Sequence, residues 1–358
     1  MKPSLWSAGI LVLVCALACA SAQVPVPAPK PPPGLPEAHS GFDLLTNGRV
    51  TQEKHDSDRA QFEEDAVLPA LGPVYNARSC ANCHETPVTG GSSQVTEVRT
   101  ANGLVHDRAV SAESQEHLVA GTPFTLRVST SLLGLGLVED VPDDELRSLA
   151  RANGGQVVEV AVLETPGLRR VGRFGWKCQH ASLLSFAGDA EFGEKGVTNR
   201  LFPGGQKPPF EDVDEDGSED IDAYASFMRA TKAPGRSAVA GSEQVRSGER
   251  VFLDIGCGSC HVPTLFTKKE VFHPYGDFLL HDVGTGDGIA QGAAPPNKLR
   301  TVPLWGLRAR SRLLHDGRAL DPVAAIQAHH VEAEETRQRW DSLNAQDRAA
   351  VLAFLASL

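Results

Sequence analysis

Methionine is almost missing from this sequence. Its 358 residues include Met1 and Met228 and no other. Met1 falls in a leader segment, so Met228 is the one thioether open to a metal. Aromatic residues make up only 6%, so a core of this length needs apolar bulk from another source. Basic charge is in deficit: 34 Lys and Arg stand against 45 Asp and Glu, a formal net charge of -11. That balance excludes nucleic acid and anionic membrane as natural partners and favours proteins with a basic patch. No apolar run reads as a membrane span; Ile10 to Ala18 is too short for one. Cysteine pairing is limited as well. Of seven cysteines, Cys15 and Cys19 lie in the leader, four belong to two motifs, and Cys178 is left without a disulfide partner. A small buried apolar residue is the expected role of Cys178.

The motifs are Cys80-Ala81-Asn82-Cys83-His84 and Cys257-Gly258-Ser259-Cys260-His261. Each is C-x-x-C-H, the attachment pattern of c-type haem. Two thiols one turn apart can both join the vinyl groups, and the adjacent imidazole then reaches the iron. A zinc ribbon needs its cysteine pairs about 15–20 residues apart, and these pairs are far more distant. Two covalent haems are expected, and they would supply the missing apolar bulk.

Residues 1–22 read as a secretory signal: Lys2, an apolar run, and Ala20-Ser21-Ala22 as the cleavage site. A periplasmic or secreted protein follows. Cys19 raises a lipoprotein reading, but Ala16-Leu17-Ala18 before it fits a lipobox poorly. Residues 23–40 are proline-rich and read as an extended, disordered tether. The expected class is mainly α, with two cytochrome c-like haem domains at 41–235 and 236–358. The first is enlarged by an insertion of loops and minor β structure. An internal repeat supports this division. Asp220 to Met228 resembles Asp347 to Leu355, and each follows a C-x-x-C-H as a closing helix. Cys80 and Phe227 stand 147 positions apart, Cys257 and Phe354 only 97.

Residues 87–123 predict loops and a short hairpin. Pro142 to Leu146 predicts a helix start, Val157 to Val162 a short strand, and Asn344 a cap for the last helix. Leu132 to Glu139, apolar and glycine-punctuated, suits backbone lying close to a flat ligand. Residues 212–217 look like half a calcium loop, but Ala223 stands where the bidentate Glu belongs, so an acidic turn capping the next helix is the better reading. Lys232 to Ala238 has a linker composition. Met228 aligns with Leu355, an ordinary core position. His329 lies 68 residues after His261 on a predicted helix and is the candidate distal ligand of the second iron, with His330 beside it on another face.

Several stretches resemble the di-haem oxidoreductase family, also called thiol oxidoreductases. Its relatives are bacterial di-haem cytochrome c peroxidases and the maturation enzyme of methylamine dehydrogenase. The stretches are Gly72-Pro73-Val74-Tyr75-Asn76, Gly134 to Glu139, Gly172 to Lys177, Leu280-His281-Asp282, Arg300 to Gly306 and Leu314 to Ala319. The resemblance implies a peroxidase-like oxidoreductase that reduces peroxide or oxidises a protein substrate. It places Trp176 between the haems and gives His329 the position that holds Met or Tyr in the relatives. It puts Glu194 near the acidic residue over the reactive haem, with Glu191 as second choice. Thr301 and Pro303 fall in the segment that supplies calcium ligands, so one calcium ion is implied. The implied partner is a small electron donor, a cytochrome c or a cupredoxin, or else the protein substrate itself. The sequence departs from the family at Cys178, Phe186, Lys195 and His330, where Ala, Gln, Met and Gly are usual. A non-catalytic di-haem electron carrier is the alternative.

Overall fold

The computed structural model describes residues 30–67, 71–204, 213 and 216–358. The leader and the start of the tether lie outside the described residues. Helices carry the core: α1 (Gln52–Glu63), α2 (Leu135–Glu139), α3 (Asp143–Asn153), α4 (Leu183–Ala190), α5 (Asp220–Ala230), α6 (Glu243–Asp254), α7 (Pro322–Gln327), α8 (Glu334–Asp341) and α9 (Ala345–Leu355). Side-chain caps set several starts. Thr51, Ser242 and Asn344 each accept a hydrogen bond from the backbone N–H three residues on. The acidic turn before α5 also caps it, with Glu219 and Asp222 bonded reciprocally. The rest of the half calcium loop, Asp212, Asp214 and Glu215, lies outside the described residues.

The internal repeat is physical. In the first unit α1 packs on α5, and in the second α6 packs on α9. Phe62 of α1 meets Phe227 of α5 at 4.8 Å and the His84 ring at 6.4 Å. Phe252 of α6 meets Phe354 of α9 at 5.1 Å and the His261 ring at 6.3 Å. Each unit therefore presses one helix pair against its C-x-x-C-H turn. Those turns, Cys80–Asn82 and Cys257–Ser259, are short 3-10 turns. Met228 lies in the core, as expected.

The first unit carries the insertion: β1 (Val74–Tyr75), β2 (Thr96–Thr100), β3 (Gly103–Val105), β4 (Arg108–Ala109) and β5 (Phe124–Val128). β3, β2 and β5 form an antiparallel sheet that pairs Glu97 with Arg127 across β2 and β5. A further hairpin joins Glu159–Ala161 to Arg169–Val171.

Three expectations are corrected. The tether is not free at its end: Val271 N–H donates to the Pro36 carbonyl, and Ala38 N–H to the Val271 carbonyl, at 2.9 and 2.8 Å. The stretch 232–238 is no loose linker, since Ala233 and Pro234 are buried and Ala233 accepts from Gly41. The glycines of 132–139 serve chain packing and not a ligand. A Cβ on Gly136 would lie 2.3 Å from the Arg229 carbonyl, and one on Gly134 2.8 Å from the Ala233 Cα. The larger core also takes in Leu265, Phe272, Phe278 and Leu279, so residues after the second motif pack on the first unit.

Candidate functional site

Two cavities flank the seam between the units. The first encloses about 760 Å³ and is walled by Cys80, Cys83 and His84. The second encloses about 230 Å³ and is walled by Cys257, Cys260 and His261. His84 Nδ1 donates to the Gly91 carbonyl at 3.0 Å, and His261 Nδ1 to the Tyr275 carbonyl at 3.1 Å. Each bond fixes the tautomer and leaves Nε2 as a lone-pair donor. Burial lowers the pKa of each imidazole to about 4, which keeps it neutral.

The cavities differ in what faces that imidazole. His329 stands on the wall of the second, with Nδ1 bonded to the Ala325 carbonyl at 2.7 Å and Nε2 left over. It lies just past α7, which ends at Gln327 and not at His330. The break comes where His330 turns extended to start the next short turn. His330 pairs with Glu334 on the exposed side. The other imidazole of the first cavity is His106, and both its nitrogens are engaged, with Glu116 at 2.8 Å and the Gly193 carbonyl at 2.7 Å. Lys195 on the same wall is tied to Glu191 at 3.1 Å and to the Tyr224 hydroxyl at 2.9 Å.

Glu194 lies in a π-helical turn, Glu191–Lys195, that continues α4. Burial and the neighbouring Glu97 hold its carboxyl well above the usual range. The two carboxyls share a hydrogen bond, and Asn76 Nδ2 donates to Glu194 Oε2 at 3.3 Å. Glu97 escaped the sequence reading. Its signal was the charged alternation Glu97-Val98-Arg99, which on β2 sends both charges to the cavity face. Glu191 is the weaker candidate, because its carboxylate is spent on Lys195. Lys195 thus gives Glu191 an ammonium partner, while burial still holds the Glu191 pKa up at about 7. Phe186, the other departure near this cavity, lines it and stacks on Phe174 at 6.0 Å.

Trp176 lines both cavities. Its Nε1 donates to the Val128 carbonyl at 2.8 Å, and its ring meets His315 edge-on at 6.2 Å. The next residue, Lys177, buries its ammonium among the carbonyls of Pro295, Pro296 and Lys298 at 3.0, 3.2 and 2.8 Å. Asp287 completes that cage at 2.9 Å and also pairs with Arg127 of β5 at 2.6 Å. Cys178 is buried, as expected, and its thiol donates to the Phe278 carbonyl. The calcium candidates sit differently. Arg310 Nη2 donates to the carbonyls of Pro303 and Trp305, at 2.9 and 2.8 Å, and the Thr301 N–H is spent on Leu279. A dication at Pro303 would meet a guanidinium already there. Among the described residues, one group of His, Cys, Asp and Glu has ligand spacing, Cys260, Asp277 and His281, and its cysteine belongs to the second motif.

These residues fit covalent haem. The thiols line the walls, the imidazoles present Nε2, and buried Arg99 Nε and Arg300 Nη1 have no protein partner on those walls.

Residues 210–358 match the family model described as "Di-haem oxidoreductase, putative peroxidase". The family resemblance is borne out. The matched part of the chain holds the second C-x-x-C-H, Arg300 to Gly306 and His329. Among solved structures, hydrazine synthase of Kuenenia stuttgartiensis is similar at 15% identity and TM-score 0.49, covering 98% of this chain and 100% of that one. A MauG-like protein associated with microbial copper homeostasis is similar at 16% identity and TM-score 0.44, covering 91% and 93%. No curated protein matches the chain. No helix among the described residues is long and apolar enough to cross a membrane.

Proposed function

We propose that this chain is an exported di-haem c-type oxidoreductase with peroxidase-like chemistry at the first cavity and an electron-transfer haem in the second. Cys80 and Cys83 attach one haem and His84 ligates it. Cys257 and Cys260 attach the other, between His261 and His329. The haems supply the redox chemistry. The observation that carries the reading is the asymmetry of free imidazole nitrogens: beside His261, the wall of the second cavity carries His329 with Nε2 free and His315 with a buried, unbonded Nδ1, whereas among the described residues the first has none beyond that of His84. A peroxide entering the first cavity meets no competing side-chain ligand there. Glu194, held protonated, would give its proton to one peroxide oxygen while its other carboxyl oxygen takes the proton of the second, so that it ends as it began, and Glu97 holds it in place by their shared hydrogen bond. Trp176 walls both cavities and offers the route for electrons between them. The oxidising equivalents pass to a small donor protein or to a substrate protein at the surface, and the acidic chain suits a basic one.

The test is a titration of the ferric protein with hydrogen peroxide, followed by optical and EPR spectroscopy. The expected result is one high-spin and one low-spin haem, with peroxide consumed at the high-spin site and the change felt at both. Two low-spin haems inert to peroxide would establish a plain electron carrier instead.

A further inference from the structure

The second cavity has an unusual charge balance on one wall. Arg300 and Arg310 both line it, and burial and then Arg300 lower the pKa of Arg310 to about 10. Arg300 is only 4% exposed. Neither takes part in an ion pair among the described residues. Arg310 spends Nη2 on two backbone carbonyls. Arg300 gives Nε to the Gly175 carbonyl at 2.7 Å, while its Nη1 is buried and has no partner. Asp277 is within electrostatic reach of Arg300, but its oxygens are taken by His281 at 2.8 Å and by the Leu279 N–H at 3.0 Å. Two neighbouring cations, Arg300 buried and Arg310 partly buried, are costly to hold without a counter-anion. By contrast, the buried Arg127 in the seam has Asp287.

We infer that Arg300 and Arg310 form an anion cradle that takes the propionate carboxylates of the haem in the second cavity. Guanidinium suits that role, because its planar fork binds a carboxylate through two parallel N–H bonds. The cradle has a second consequence. Arg300 also grips the segment that carries Trp176: its Nε holds Gly175, and its backbone N–H donates to the Trp176 carbonyl at 2.8 Å. One side chain therefore ties the anionic edge of the second cavity to the residue that walls both. Arg300 is a positioning residue.

The inference rests on the proposed haem in the second cavity, and the experiment separates the two. Arg300→Gln and Arg310→Gln are compared with Arg300→Lys in the holoprotein by pyridine haemochrome count and by potentiometric titration of each haem. Loss of a positive charge beside the macrocycle favours the ferric state. The expected result in each Gln variant is two haems per chain, with a fall in the midpoint of the low-spin haem alone. Arg300→Lys should recover most of that fall. Retention of only the first haem in the Gln variants also supports the cradle. Unchanged midpoints in both Gln variants, or equal shifts at both haems, would overturn it. A native chain without the second haem would sink the reading of the cavity and the cradle with it, whereas two haems with unchanged midpoints in the variants would sink the cradle alone. Redox-difference infrared spectra of the native protein with isotopically labelled propionates need no variant. Bands of ionised, guanidinium-paired carboxylate support the cradle, and bands of protonated carboxyl overturn it.

Discussion

The two units build the same device and finish it differently. Each presses a phenylalanine-bearing helix pair against a C-x-x-C-H turn, and each locks its histidine through Nδ1 to a backbone carbonyl. They diverge on the opposite wall. The first unit spends its insertion there: the sheet brings Glu97 and Arg99, the π-helical turn brings Glu194, and the nitrogens of His106 are tied up. The second unit is shorter and answers with a helix end: α7 stops early and His329 takes the wall. The lesson is that a repeated scaffold sets where a ligand can stand, while the loops decide whether the opposite face is closed by an imidazole or left to a carboxylic acid.

The comparison can be broken on the carboxylic side first. Glu194→Gln should slow the peroxide reaction by about 10²–10⁴-fold and leave the low-spin spectrum untouched; stopped-flow mixing with peroxide measures it. An equal loss of signal at both haems would deny the cavities their separate roles. The pH dependence carries a sign. Burial and Glu97 raise the Glu194 pKa, so the native reaction should fall as pH rises through that raised value. The folded state also holds a proton that the unfolded state has released. Stability therefore declines as pH rises above the ordinary glutamate range, and Glu194→Gln should flatten that decline in urea titrations at several pH values.

On the imidazole side, His329→Ala should convert one low-spin EPR signal to high-spin and leave the other haem unchanged. An unaltered spectrum would send the assignment to another donor. The seam gives the third test. Asp287→Asn strands Arg127 and Lys177 as buried, unpaired cations, which costs about 3–5 kcal/mol, read from denaturant midpoints. Burial opposes ionisation of Asp287, but Arg127 and Lys177 hold its pKa below the usual range. Its contribution is thus present above the ordinary aspartate range and is lost as pH falls through the depressed value. The smallest effect on stability belongs to Trp176→Phe, which loses one hydrogen bond and little volume, about 1–2 kcal/mol. Both haems should remain, while transfer between them slows. Transfer at the native rate would make Trp176 packing and no more.

Much of this was legible in the residues. The two C-x-x-C-H motifs, the closing helices, the cap at Asn344 and the core place of Met228 all rest on local spacing, which the chain cannot easily override. The sequence singled out Glu194, Trp176 and His329, and the structure brings each to a cavity wall. What could not be read depends on distant partners. Glu97 gains its meaning only when β2 lies beside the Glu191–Lys195 turn. Arg300 and Arg310 matter only once the acid on their wall, Glu332, is seen to be taken by His281 and Lys298. The glycines of 132–139 looked made for a ligand because sequence cannot say which backbone comes near, and it is that of Arg229 and Ala233. The tether was called free on composition, yet a few backbone hydrogen bonds to Val271 pin its end.

Lys177 has one more consequence. Three carbonyls and a carboxylate make an oxygen cage of the sort a hard divalent ion prefers, and here an ammonium on the chain itself fills it. A dissolved ion can be leached or captured by a chelator, whereas a side chain cannot leave. Closure of the seam at this point is therefore written into the polypeptide and indifferent to the mineral content of the surroundings. Acid, through Asp287, is the influence that can still reach it.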